Sequence, residues 1–209
     1  MTPPALPAPA VARVRTLLEG GRRVILGLAG PPGAGKSTLA QSLQAAFPED
    51  ACVVPMDGFH LANVELRRLG RAGRKGAPDT FDAAGYVALL TRLRAQPPGE
   101  IVYAPEFRRE IEEPIAGAIP VDPARRLIIT EGNYLLLADG PWAAVRPLLD
   151  ESWYVDVDDA LRRERLTRRH EQFGRDRAQA EAWAANTDEP NARLIEASRA
   201  RAGWAFRWV

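Results

Sequence analysis

Residues 24–38 read Val24-Ile25-Leu26-Gly27-Leu28-Ala29-Gly30-Pro31-Pro32-Gly33-Ala34-Gly35-Lys36-Ser37-Thr38. The first six form a short apolar run, the pattern of a strand buried on both faces. The next nine satisfy G-x-x-x-x-G-K-[ST], and Lys36 to Phe47 reads as a helix ended by Pro48. A strand, a glycine-rich turn and a helix together form the context in which this motif wraps phosphate. Glycine lets backbone N–H groups turn inward around phosphate oxygens, and the helix aims its positive end at the same place. Lys36 is predicted to reach the β- and γ-phosphates, and the Ser37 hydroxyl to ligate Mg²⁺. Gly30, Gly33, Ala34, Gly35, Lys36, Ser37 and Thr38 are therefore candidate nucleotide-binding residues, with ATP and Mg²⁺ as the expected pair. The motif does not say whether the phosphoryl acceptor is water, a metabolite or nothing at all.

Outward from this turn, the pattern is of strands separated by helices. Val11 to Leu18 has helical spacing and stops at Gly20-Gly21, and Ala51 to Met56 reads as a second buried strand. Asn63 to Pro78 is basic and weakly periodic, the mark of a mobile connection. Ala83 to Ala95 predicts a helix stopped by Pro97-Pro98, and Glu100 to Phe107 a strand. Arg125 to Thr130 and Ser152 to Val157 predict core strands, with a short helix around Pro141 to Leu149 between them. Ala160 to Phe173 is a strongly basic helix, Glu189 to Ala202 a last helix, and Trp204 to Val209 a closing strand. The expectation is a three-layer α/β P-loop NTPase fold: a mainly parallel central sheet flanked by helices, plus a helical lid at about 160–176.

At 209 residues the chain suits one domain, taken as 11–209 after a disordered segment 1–10. A formal net charge of +1 supplies no global field for nucleic acid or a membrane surface, so any anion site must be local. The single cysteine, Cys52, excludes an intrachain disulfide framework. With neither a signal-peptide pattern nor a long apolar span, the reading is cytoplasmic, with a small-molecule partner and with homo-oligomerisation left open.

Phosphotransfer to a metabolite needs a group to orient the acceptor hydroxyl, an acidic influence on the metal and cations over the transferring phosphoryl. Asp57, in Pro55-Met56-Asp57-Gly58-Phe59-His60, ends the second strand, and ligands bind beyond the carboxyl ends of strands. A strand-end Asp also suits a simple turn cap. His60 is a candidate substrate contact and equally suits packing. Glu131 follows an apolar strand as a metal-side carboxylate does. On the basic helix, spacings of three and four put Arg162, Arg165 and Arg169 on one side, with Arg168 adjacent to Arg165. This pattern fits either a lid or a solvated basic face.

The ordered set of P-loop, Asp57, Pro78-Asp79-Thr80-Phe81-Asp82, Glu131-Gly132 and arginine helix resembles the uridine kinase, phosphoribulokinase and pantothenate kinase superfamily. The resemblance runs from about Val24 to the C-terminus. It implies that Asp57 is the catalytic base and that Asp79 is a substrate-binding acid with Phe81 close by. It also implies that Pro105-Glu106-Phe107 walls the acceptor pocket, that Glu131 serves the metal, and that Arg165, Arg168 and Arg175 grip phosphate. Arg108 and Arg109 lie close enough to that wall to bind a polar acceptor, or are plain surface charges. Uridine kinases usually carry Asp-Ser-Phe-Tyr where this chain has Asp57-Gly58-Phe59-His60. The chain looks closer to a bacterial fructokinase-like, or nucleoside/nucleotide-kinase-like, subgroup. Asn186 and Asn191 suit a contact with the nucleotide base or a lid hinge; equally, Thr187-Asp188-Glu189-Pro190 suits a cap on the last helix with Pro190 in its first turn, and the cap is preferred. The resulting expectation is an ATP-dependent kinase acting on a sugar, a nucleoside or a pantothenate-like alcohol. The alternative is a P-loop ATPase or switch with water as acceptor.

Overall fold

The computed structural model describes residues 3–172, 174 and 176–208. Its frame is a five-stranded parallel sheet made of β1 (Val24–Ala29), β2 (Ala51–Pro55), β5 (Leu127–Gly132), β6 (Glu151–Asp156) and β7 (Trp204–Arg207). The order is β2-β5-β1-β6-β7. All six residues of β1 are buried, as are all six of β5. That explains why both read as unbroken apolar runs: each strand has helices above and below it.

Successive side chains of β1 point to opposite faces and so feed two cores. Ile25 joins Val54, Ile128 and Tyr154 beneath α4 (Ala83–Arg94), whose Tyr86, Leu89, Leu90 and Leu93 face the sheet. Leu26 and Leu28 join Ile129, Trp153 and Val155 beneath α1 (Ala8–Leu18) and α2 (Lys36–Ala46). Each fully buried Leu or Ile here contributes about 1.5–3 kcal/mol relative to exposure. Because every strand runs the same way, all the carboxyl ends open on one edge of the sheet, and the phosphate turn, Asp57 and Glu131 collect there.

Five local expectations are corrected. The first helix starts at Ala8 rather than Val11, and Ala10 is fully buried against the sheet. Residues 63–78 are not a loose connection. They hold α3 (Asn63–Arg68) and two short 3-10 turns, at Ala72–Arg74 and Pro78–Thr80. The strand β3 (Val102–Arg108) pairs antiparallel with β4 (Glu113–Val121), which sequence reading missed. Pro114, Gly117 and Pro120 hide β4, because these residues are tolerated only in an edge strand such as this two-stranded ribbon provides. Beyond α5 (Asp159–Gln172) lies an unforeseen helix, α6 (Arg177–Trp183), started by a capping box between Asp176 and Gln179. After a π-helical turn, α7 (Glu189–Ala197) ends five residues before the expected Ala202.

The ribbon β3–β4 crosses close behind Asp57. A Cβ on Gly58 would lie 2.3 Å from the Pro105 carbonyl oxygen, so no side chain fits at that position. The close approach accounts physically for glycine at this position. Among the described residues no helix is long and apolar enough to cross a membrane.

Candidate active site

The glycine-rich turn, the expected phosphate cradle, joins β1 to α2. At Gly33 (φ +82°) a Cβ would meet the Arg162 carbonyl at 2.9 Å and Leu166 at 3.1 Å. The start of α5 therefore sits directly on the turn and carries Arg165 and Arg169 over it. Lys36 is buried, and its ammonium donates to the carbonyls of Gly30 (2.9 Å) and Pro31 (3.1 Å) and to Asn133 Oδ1 (2.7 Å). Burial pushes its pKa from 10.5 down to about 8, against the opposing pull of Glu131 and Asp57. A cation held this way lacks a full counter-charge.

The Ser37 hydroxyl donates to Glu131 Oε1 at 2.8 Å. Burial, and then the neighbouring Asp57 charge, raise the Glu131 carboxyl above its ordinary range. Burial also acts upward on Asp57, but the charges of His60, Arg109, Lys36 and Arg169 outweigh it and hold that carboxyl below its usual value. The two acids are thus pushed apart, Asp57 staying ionised while Glu131 takes a proton more readily. Ser37 and Glu131 are oxygen donors suited to Mg²⁺, which takes one or two protein ligands beside phosphate and water. Among the described residues no three His, Cys, Asp or Glu side chains converge into a self-sufficient metal cage.

Phosphate bound at Lys36 would have a pH-dependent affinity. In the free protein the ammonium is lost as pH rises through about 8, whereas bound phosphate holds the proton to higher pH. The Kd for MgATP is expected to be flat below pH 7. Above pH 8 it should climb by up to about tenfold per unit, with proton uptake on binding. Titration calorimetry between pH 6.5 and 9.5 reads both, and a flat Kd across that range refutes the assignment.

Gly33, Gly35, Lys36, Ser37, Thr38, Asp57, His60, Phe81, Glu131 and Arg165 line one cleft of about 880 Å³. Gly30 lies beneath it, offering its carbonyl to Lys36, and Ala34 is fully buried. His60 is held by its Nδ1–H, which donates to the Asp57 carbonyl at 2.7 Å, and its ring packs on both Phe81 and Phe107. Four candidates lie outside the cleft. The Asp79 carboxylate is taken by Arg71 and Arg74, and Arg168 pairs with Glu164 one turn back on α5. Glu106 and Arg108 pair with each other, because residues two apart share a strand face, here the one turned away from Phe107. Arg175 lies outside the described residues.

Arg169 lines the cleft in place of Arg168. Helical periodicity had grouped Arg169 with Arg165, so the spacing, rather than the family pattern, located it. The third member of that group, Arg162, is buried against Glu189 and Asp159 and anchors the helix. Asp188 is the N-cap position of α7 and Pro190 lies in its first turn, as the cap reading has it, though no side-chain cap bond forms; Asn191 lines the cleft. Asn133, Lys75 and Trp208 were missed. Asn133 lies in Glu131-Gly132-Asn133-Tyr134, which resembles the subgroup but assigned it no role, and Lys75 and Trp208 arrive from distant segments.

The comparisons with known proteins fit this geometry. No family model matches the chain. A provisionally named uridine kinase of Schizosaccharomyces pombe is 39% identical over 167 residues, covering 76% of this chain and 71% of that protein. An ATP-dependent kinase-like protein of Aspergillus versicolor is 38% identical over 152 residues, 69% of this chain and 88% of the relative. The crystal structure of a provisionally named fructose transport system kinase from Silicibacter sp. TM1040 superposes with a TM-score of 0.86. It is 38% identical and covers 97% of this chain and all of that one. The chain belongs to the uridine kinase-like family of P-loop kinases. It is a kinase, and ATP-dependent phosphotransfer is its general activity. The central parallel sheet flanked by helices is that of its structural relatives.

Proposed function

We propose that this kinase moves the γ-phosphoryl group of MgATP to a hydroxyl of a small metabolite, with Asp57 as the base. The observation that carries the reading is an ionised carboxylate at the end of β2, sharing one cleft with Lys36, Ser37 and Glu131. Lys36 exchanges its carbonyl partners for β- and γ-phosphate oxygens, a stronger charge-assisted bond. Ser37 and Glu131 would hold Mg²⁺, which when bound would offset phosphate charge. The acceptor hydroxyl lies against Asp57 and attacks the γ-phosphorus in line. Its proton passes to the Asp57 carboxylate, the bond from the γ-phosphorus to the bridging oxygen breaks, and ADP departs. Arg165 and Arg169, carried by α5 over the cradle, offset the charge on the equatorial oxygens and exclude water.

The acceptor belongs to the class of sugars, nucleosides or pantothenate-like alcohols. ADP release measured with a panel of these acceptors tests the reading. At least one is expected to raise turnover at least tenfold above the no-acceptor background. Equal ADP release with and without every acceptor would instead make water the acceptor.

A further inference from the structure

The acceptor end of the cleft holds two cations, Lys75 and Arg109, that the reaction just proposed places on neither the phosphates nor the metal. Lys75 is 13% exposed, and its ammonium donates to Asn63 Oδ1 at 2.7 Å and to the Glu112 carbonyl, both neutral oxygens. Its closest carboxylate is that of Glu112, 4.0 Å away on a side chain that is 54% exposed. Arg109 spends its guanidinium on Asp57 Oδ2 at 3.1 Å, the carboxylate that the acceptor hydroxyl must approach. Both cations lie over the Phe107 ring, at 5.0 and 5.7 Å from its centre, and both line the cleft. Once a hydroxyl engages Asp57, the guanidinium must share or give up that partner. Lys75 then has the half-exposed Glu112 and, further off, Glu113, whose carboxylate already accepts from the Asn63 N–H, while Arg109 shares Asp57; part-buried charge so thinly countered favours an incoming anion.

A second observation bears on shape. Phe81 and Phe107 both pack on His60 already, with ring centres 4.0 Å and 4.5 Å from its own and planes tilted by 40°. The imidazole is fixed there by its bond to the Asp57 carbonyl. A nucleoside base therefore finds the aromatic wall taken.

Resting on the phosphotransfer reading above, we infer that the acceptor is a small non-aromatic hydroxy compound whose own carboxylate or phosphate seats between Lys75 and Arg109. Both sources present the same chemistry, an oxyanion matched to a guanidinium fork and an ammonium. Asn63 and the Glu112 carbonyl hold Lys75 in place, and the Glu112 carboxylate is the counter-charge that the incoming anion displaces.

The test is ADP release by the full-length protein with matched triads, namely glycerol, glycerate and glycerol 3-phosphate, and ribose, ribonate and ribose 5-phosphate, with uridine added. An anionic member is expected to exceed its neutral parent and uridine at least tenfold in kcat/KM, and the better of acid and ester identifies the oxyanion. Lys75→Gln should raise the KM for that acceptor at least tenfold, leave the KM for ATP within threefold, and be rescued in part by Lys75→Arg. An unchanged unfolding midpoint shows that the variant is folded, and Arg109→Gln repeats the measurement at the second cation. Neutral acceptors or uridine matching the anions would overturn the inference while leaving phosphotransfer standing. Turnover indifferent to every acceptor would bring down both.

Discussion

Replacing Lys36 by Ala is expected to raise the Kd for MgATP by 10²-fold or more and to reduce transfer by at least as much. Losing one preorganised donor to developing phosphate charge costs on the order of 10²–10³ in rate, and Lys36 is the one buried ammonium of the cradle among the described residues. Its ground state is also unfavourable, since burial has drawn its pKa to about 8. A group whose folded-state pKa is depressed in this way, when it is a base, costs stability below that pKa and returns it as pH rises towards 10.5. Lys36→Met, which keeps the length but not the charge, should therefore unfold at or above the parent's midpoint at pH 7 without nucleotide. MgATP should raise the parent's midpoint and leave the variant's where it is. Thermal unfolding with and without MgATP reads both effects. A variant that is less stable and still stabilised by ATP would show that the ammonium serves the fold rather than the phosphate.

Asp57→Asn is expected to lower kcat by about 10²-fold or more with the Kd for MgATP within about twofold, the scale of a lost positioned base. Asn is nearly isosteric and keeps an oxygen for Arg109, which donates to Asp57 at 3.1 Å, so the pocket should stay assembled. The surrounding cations hold Asp57 ionised well into acid. Its loss therefore removes a base, and does not relieve a buried neutral acid. Single-turnover measurement with saturating ATP isolates the chemical step. Unchanged turnover there would take Asp57 out of the reaction and leave the carboxylate as a turn residue.

The two predictions differ in how visible their residues were. Lys36 and Ser37 belong to a contiguous motif in which backbone geometry and chemistry are encoded within nine residues, so local sequence was enough. Asp57 and Glu131 could be placed because a parallel sheet sends all carboxyl ends to one edge, and both follow apolar runs. The acceptor side was far less legible. Residues 63–78 looked like a loose connection, since α3 and its flanking turns are short and held by long-range bonds, such as Asn63 N–H to the Glu113 carboxylate. The ribbon partner β4 was hidden by its prolines. Asp79 and Glu106 matched family positions, yet here Arg74 and Arg108 occupy them, and local spacing cannot say which ion pair forms.

What the amino-acid order alone determined was the phosphate turn, the alternation of buried strands and helices, and the face of α5 that carries Arg165 and Arg169. Each of these is a periodic or contiguous signal read within one element. Only the tertiary structure decided that Lys75 and Arg109 meet over Phe107, that Asn133 reaches Lys36, and that His60 packs on two phenyl rings. Those contacts join segments up to 97 residues apart, and pairing at that range is set by how the elements pack, which no local pattern records.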